Sequence, residues 1–341
     1  MGYTTVRDRT GAVAAAAELA GRTDASSAGL VVDQVMAESG VADSRIAAAA
    51  LVQASGDVAR ACSLIRAWAA VLPRLATSRE PVESMRVSRR ITPGFANPAG
   101  GQYLGASRDY EQRLLDLAPS TDGLSPNGHH DAKPAAAPPR QFHRALEDLT
   151  ADGLVALAHP PAEATDITRQ ATDRSARGPL LQLLSRAETG AMTAIAYTAI
   201  RGYGSRQDPT LAELRRGSLA VHMERPEGGR FELGEIDITY AEVVLYRLHG
   251  GSADPQLTLG VGATVGALER RAISAAVLDA NCARAAVAPP ARFDPAEDAE
   301  FLAIALDGQE ATGFVEHLKL PHHVTFTSEL DRIRQSRSAE E

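Results

Sequence analysis

From Gly234 to Tyr240 the chain reads Gly-Glu-Ile-Asp-Ile-Thr-Tyr, an alternation with a period of two. Successive side chains of a strand point to opposite faces, so this pattern specifies a half-buried β-strand. One strand cannot bury its apolar face alone. It needs sheet neighbours and a covering layer. The neighbouring sequence offers both. Ala241 to Leu248 extends the strand signal, and Leu257-Thr258-Leu259-Gly260-Val261-Gly262 alternates again, followed by a helix expected from about Leu268 to Cys282. The fold class that satisfies this is α+β: a helical N-terminal region, then a mixed, mainly antiparallel sheet domain with packed helices.

The first part of the chain is helical in character. Alanine-rich segments run from Val13 to Leu19 and from Ile46 to Gln53, and Asp57 can cap a helix from Val58 to Leu72 that Pro73 ends. Aromatic residues make up only 4% of the chain, so the core must be built from Ala, Leu, Val and Ile. At 341 residues, two domains are expected. Residues 1–118 form a helical region with an Arg/Gly-rich segment, and 141–341 form the α+β domain. Between them, 119–140 is rich in Pro, Ala, Ser and Gly and reads as a linker or surface insertion. A helix over Asp109–Asp116 precedes it, and Leu180–Leu184 and Ala191–Ile200 read as helical or buried. Near the end, Phe301–Leu306 reads as a strand, Asp307-Gly308 as a hairpin turn, Thr312–Lys319 as the return strand and Val324–Thr327 as one more. Glu329–Arg337 reads as a charged terminal helix.

Gly260, Gly262 and Gly266 follow a G-x-G-x-x-x-G spacing. A dinucleotide fingerprint needs G-x-G-x-x-G, and no Gly-Lys-Ser/Thr is present for a phosphate loop. A tight turn or close helix packing accounts for these glycines. The formal net charge of −8 argues against sequence-blind nucleic-acid binding. Two distant cysteines, Cys62 and Cys282, offer no disulfide framework. No stretch approaches the roughly 20 apolar residues of a membrane span, no secretory leader or myristoylation pattern stands at the start, and a cytoplasmic location is expected.

Two groups of residues carry chemical potential. Glu316-His317-Leu318-Lys319-Leu320-Pro321-His322-His323 holds three of nine histidines within seven residues. Pro321 cannot continue a helix, so His317 and His322 can share an ion only if the backbone bends at Leu320-Pro321. Zinc takes four ligands, or three with water, so two imidazoles leave the site incomplete. By spacing alone, the segment fits either half a metal site or an exposed loop. Arg86, Arg89 and Arg90 stand within five residues; on a strand, Arg86, Ser88 and Arg90 share one face and Val87 and Arg89 the other. Such guanidinium forks match phosphate oxygens, although a solvated face fits as well. Arg201-Gly202-Tyr203-Gly204 is a flexible turn with a cation at its edge.

Several blocks together resemble one family, the I subunit of the bacterial carbon–phosphorus lyase core complex (PhnI). They are Met85-Arg86-Val87-x-Arg89-Arg90-Ile91, Gly100-Gly101-Gln102-x-Leu104-Gly105, Asp109-Tyr110-x-x-Arg113-Leu114-Leu115-Asp116, Arg201-Gly202-Tyr203-Gly204, Gly234-Glu235-Ile236, Leu259-Gly260-x-Gly262 and Ala311-Thr312-Gly313-Phe314-x-x-His317-Leu318-Lys319-Leu320-Pro321-His322-His323-Val324. The resemblance implies a subunit that works with G-, H- and J-type partners, with ATP-binding-cassette-like L and K subunits as further possible ones. It implies displacement of adenine from MgATP by an alkylphosphonate, giving a ribose 1-phosphonate 5-triphosphate, and purine nucleosidase activity when alone. It implies a Zn²⁺ held by His317 and His322 and closed by the J-type subunit. The alternative is a non-catalytic scaffold that only completes that metal site. Cleaving an N-glycosidic bond builds positive charge on the sugar and needs a proton for the leaving base. Glu235 and Asp237, on one strand face, are the candidate catalytic carboxylates, or else ordinary solvent-facing charges. Arg86, Arg89, Arg90, Arg201, Gly202, Tyr203 and Gly204 are the candidate substrate-binding set.

Overall fold

The computed structural model describes residues 26–104, 142–156, 166–169, 176–202, 208–225, 227–247, 256–286 and 292–339. Three helices open it: α1 (Ser26–Ser39), α2 (Ser44–Gln53) and α3 (Val58–Ala70). Asp43 caps α2 by accepting from the amides of Arg45 and Ile46, and Asp57 caps α3 by accepting from Arg60 N. The buried faces of these helices, including Val35, Ala47, Leu51, Ala61 and Ile65, form one apolar cluster.

The α+β expectation holds. Strands β1 (Arg86–Ile91), β3 (Thr210–Glu224), β4 (Arg230–Arg247) and β5 (Gln256–Val265) form antiparallel pairs, and the short β2 (Val155–Ala156) adds to β5 in parallel. The order across the sheet is β1-β3-β4-β5-β2. The period-two segment at Gly234–Tyr240 lies inside β4 and runs unbroken into the predicted Ala241 strand.

One face of the sheet is covered by α7 (Glu269–Ala285), α5 (Arg177–Arg186) and α6 (Thr189–Arg201), with Leu214, Ala241, Val243 and Leu245 buried against them. Gly260 and Gly262 set how closely α7 approaches. A Cβ on Gly260 would run into the carbonyl of Ala276 and the amide of Ala280, and one on Gly262 into the carbonyl of Ala272. Close helix packing is therefore the reason for both glycines, while Gly266, at φ 82°, makes the turn into the helix. The other face is covered by the segment around Phe142–Leu146 and by α4 (Glu147–Ala151), through Leu146, Leu149, Val244 and Leu259.

The C-terminal region departs from expectation. The stretch read as strand, turn and strand is helical: α8 (Ala299–Ala305), α9 (Gly308–His317) and α10 (His323–Ser338). A short apolar run such as Phe301–Leu306 does not distinguish strand from buried helix. Asp307 is not a hairpin residue but the N-cap of α9, accepting from Glu310 N at 3.3 Å, and Asp298 likewise accepts from Phe301 N at 2.9 Å. Val324–Thr327 is the first turn of α10 rather than a strand, and the expected terminal helix is the remainder of that element. The alanine-rich Val13–Leu19 segment, the Asp109–Asp116 helix and the 119–140 linker lie outside the described residues.

The glycine contacts give a test with opposite signs at two sites. Gly260→Ala should cost about 3 kcal/mol, because the added methyl meets backbone on two sides. Gly313→Ala, in α9 with nothing within 4 Å of the new methyl, should gain about 0.5–1 kcal/mol. Thermal or urea unfolding of the two variants measures both.

Candidate functional site

Strand register sorts the predicted arginines. A bulge between Val87 and Arg89 shifts the pairing of β1 with β3. It puts Arg86 and Arg89 on the α7 side of the sheet and Val87 and Arg90 on the other, so the expected sharing of one face by Arg86 and Arg90 is corrected.

On the α7 side, Arg86 pairs across the strands with Ser218, and Ser218 with Asp237, so the three stand in one row. Arg86 forms an ion pair with Glu235 and donates to Ser218 Oγ at 3.4 Å. Arg86, Glu235 and Asp237 are exposed. Arg89, in contrast, is buried: its Nε donates to Glu269 Oε1 at 2.7 Å, tying β1 to the start of α7, and its Nη1 donates to Leu104 O at 2.6 Å.

Arg90 is fully buried on the opposite face. It donates to Glu213 Oε1 (2.5 Å) and to the carbonyls of Ala99 (2.8 Å), Gly101 (2.6 Å) and His143 (3.1 Å), and its guanidinium carbon lies 4.8 Å from the centre of the Phe142 ring. Glu213 also accepts from Arg215 Nε (2.8 Å) and from the Ala145 amide (2.9 Å). Burial pushes the Glu213 pKa up, but Arg215, Arg90 and that amide outweigh it and hold the carboxyl below the usual range. Arg89 and Arg90 therefore stitch the sheet to its loops, and the donors identified on them are turned inward.

A second buried carboxylate, Glu242, lies beside this network. Its Oε1 accepts from Arg144 Nε (2.8 Å), Arg144 Nη2 (2.5 Å) and the Tyr240 hydroxyl (2.9 Å), while its Oε2 is buried without a partner. Burial raises the Glu242 pKa, with Arg144 and Tyr240 opposing, and pushes the Tyr240 hydroxyl well up. Burial also works against the charge on Arg144, and Glu242 more than offsets it, leaving that pKa raised. Arg144 lines a cavity of about 620 Å³ with Glu83, Phe142, His143, Glu147 and Thr150. Sequence reasoning passed over Glu242, Glu213, Arg215, Tyr240 and Arg144. The available signal was a lone carboxylate inside each of two apolar runs, Ala212-Glu213-Leu214 and Ala241-Glu242-Val243-Val244-Leu245.

Arg201 ends α6 and is exposed, and Gly202 is its C-cap at φ 90°. Tyr203 and Gly204 lie outside the described residues. His317, expected on or just beyond a sheet, is instead the last residue of α9, and His322 is the N-cap of α10. The turn between them, closed by Pro321, supplies the expected bend. Their ring centres are 5.0 Å apart at 67°. His322 Nε2 lies 3.3 Å from the carbonyl oxygen of His317. Two imidazole nitrogens suit zinc in kind but not in number. Among the described residues no cluster of three or more His, Cys, Asp or Glu could hold a metal. Phe314, Val315, Leu318, Leu320, Val324 and Phe326 lie within a few positions of the pair in the chain, all exposed. No described helix is long and apolar enough to cross a membrane.

The family model described as "Bacterial phosphonate metabolism protein (PhnI)" matches residues 4–340. The chain is 38% identical over 316 residues to the alpha-D-ribose 1-methylphosphonate 5-triphosphate synthase subunit PhnI of Rhizobium meliloti (strain 1021), covering 91% of this chain and 84% of that one. It is 38% identical over 317 residues to the subunit of the same name from Escherichia coli (strain K12), covering 90% and 86%. A putative C-P lyase subunit protein HtxH of Stutzerimonas stutzeri is 37% identical over 316 residues, covering 89% and 84%.

The Glu213 junction generates a stability test. Glu213→Gln leaves Arg90 and Arg215 buried against a neutral partner and should cost about 3–5 kcal/mol. Because the folded pKa of Glu213 lies below its ordinary 4.5, its stabilisation is full above that pH and is lost as pH falls through the folded value. Acid unfolding of the wild type should therefore contain a component that Glu213→Gln lacks.

Proposed function

Because this chain belongs to the PhnI family of bacterial phosphonate metabolism proteins, we propose that it is a subunit of a ribose 1-methylphosphonate 5-triphosphate synthase within a carbon–phosphorus lyase assembly. The observation that carries this reading is the similarity to two subunits of that name over about nine-tenths of the chain. In the reaction, a phosphonate oxygen bonds to C1′ of MgATP as the C1′–N9 bond breaks. Adenine leaves with the bonding electron pair and takes up a proton. The chain alone, with water as acceptor, acts as a purine nucleosidase. The partners are G-, H- and J-type subunits, with L and K types as further ones, and the setting is the cytoplasm.

The row on the α7 side supports a role for this chain's own side chains. Arg86 is exposed and held at the sheet edge by Glu235 and Ser218, so it can receive a phosphate oxygen. Asp237, in the same row, supplies negative charge as the sugar centre becomes cationic, and Glu235 orients Arg86. Arg201 stays exposed for a second phosphate contact. His317 and His322 would hold a zinc ion whose remaining ligands come from the J-type partner. Such an ion supplies either Lewis acidity toward phosphate or phosphonate oxygen or a joint between subunits.

The scaffold alternative has one observation in its favour, the exposed apolar surface around the histidine pair. Assay of free base from ATP or GTP separates the two readings. The chain with its partners should release base, and Asp237→Asn should lower kcat about 100-fold with the thermal midpoint unchanged. No release from the assembled subunits favours the scaffold. Separately, His317→Ala or His322→Ala should strip zinc from the purified assembly, measured by elemental analysis. The stability of the isolated chain should change by no more than about 0.5 kcal/mol, because both rings are exposed. Unchanged zinc content would place the ion elsewhere.

A further inference from the structure

The cavity beneath the sheet lies on the face opposite the Arg86 row. A guanidinium has two hydrogen-bonding edges. The inner edge of Arg144, Nε and Nη2, is locked onto Glu242 Oε1, and Tyr240 donates to the same oxygen. Arg144 Nη1 makes no hydrogen bond among the described residues, and the residue lines the cavity, so the outer edge is open to a ligand. Thr150 adds a hydroxyl, Phe142 and Leu146 add apolar wall, and Glu83 and Glu147 bring carboxylates.

This lining selects its ligand. A phosphate would meet Arg144 but also two carboxylates, Glu83 and Glu147. A planar heterocycle with ring-nitrogen acceptors and an amino donor suits both kinds of group: acceptors to the outer edge of Arg144 and to Thr150, the amine to a carboxylate. The volume of about 620 Å³ is ample for a nucleoside. Location agrees as well. Glu83 stands three residues before Arg86, so their backbones are within roughly 11 Å. A nucleotide whose phosphates rest on Arg86 can therefore turn over the β1 edge and reach the cavity with its base.

We propose that this cavity is the nucleobase subsite, with Arg144 as the base-contacting residue and Glu242 and Tyr240 as positioning residues that hold it. The inference deepens the synthase reading and rests on it for the identity of the base, a purine.

Binding of adenosine and of inorganic triphosphate to the full chain, each followed by calorimetry, tests it. Arg144→Gln should weaken adenosine binding at least tenfold and leave triphosphate binding unchanged, whereas Arg86→Ala should do the reverse. Since Arg144→Gln strands a buried carboxylate, Ala151→Phe serves as a second variant: it fills the cavity from an exposed helix position and should also abolish adenosine binding. Glu242→Gln should raise KM for ATP in the assembly several-fold while kcat holds, a split that a merely structural role would not give. Adenosine binding equal to wild type in both Arg144→Gln and Ala151→Phe overturns the inference, as does loss of triphosphate binding in Arg144→Gln. These outcomes separate from the fate of the synthase reading. Wild-type base release with an unchanged KM in Arg144→Gln sinks only the subsite. Absent base release with Arg144-dependent adenosine binding sinks only the enzyme.

Discussion

The contact between β5 and α7 sets the geometry of everything around it. Gly260 and Gly262 present bare backbone to Ala272, Ala276 and Ala280, so helix and sheet approach without intervening side chains. At that separation Asp279 reaches the sheet itself, accepting from the Val261 amide at 2.8 Å and pairing with Arg177 at the start of α5. The first turn of α7 is fixed by the same contact, which brings Glu269 to Arg89 and thereby anchors β1. A larger residue on either side would lift the helix, separate Glu269 from Arg89 and free the edge strand that carries Arg86.

The opposite face carries a buried charge network of its own. Glu213 is buried there between Arg90 and Arg215, and Glu242 is buried beside it, held by Arg144. Taking such ions out of water costs several kcal/mol each, and pairing recovers the cost without clear profit, so apolar residues of equal volume would serve stability as well or better. What the charges provide is definition. Arg90 and Arg215 collect the carbonyls of Ala99, Gly101, Phe142 and His143, fixing the two irregular segments that carry them. Glu242 then aims one guanidinium of the second segment outward. A hydrophobic interior could bury these loops but could not set their register.

Much of this was readable from residue order, because the relevant signals are local. Period-two alternation marked β4 and β5, Asp57 marked a helix start, and the failed dinucleotide spacing correctly left Gly260 and Gly262 to packing. Long-range pairing was not readable. The bulge at Val87/Arg89 reverses which arginines share a face, and nothing in Arg-Val-Ser-Arg-Arg announces it. Phe301–Leu306 is short, apolar and equally compatible with strand or helix, so Asp298 and Asp307 as caps decide it only once backbone geometry is known. Glu242 escaped notice because a carboxylate in a strand reads as solvent-facing unless its partner, Arg144, 98 positions away in sequence, is known.

The C-terminal helices present the reverse problem. Neither α9 nor α10 has a buried residue, although Phe314, Val315, Leu318, Leu320, Val324 and Phe326 are large and apolar. Helices of 10 and 16 residues gain little from backbone propensity alone in water. α9 is tethered through Arg66, which donates to Gln309 at 3.0 Å and pairs with Asp307, while most of α10 follows the Pro321 turn into solvent. An exposed apolar patch of this kind marks a docking surface. On the proposed reading, a partner that covers it would order the two imidazoles and complete their ligand set in one step. Metal affinity and subunit affinity would then be the same coupling free energy seen from two sides: whatever factor the ion adds to assembly, assembly must add to retention of the ion.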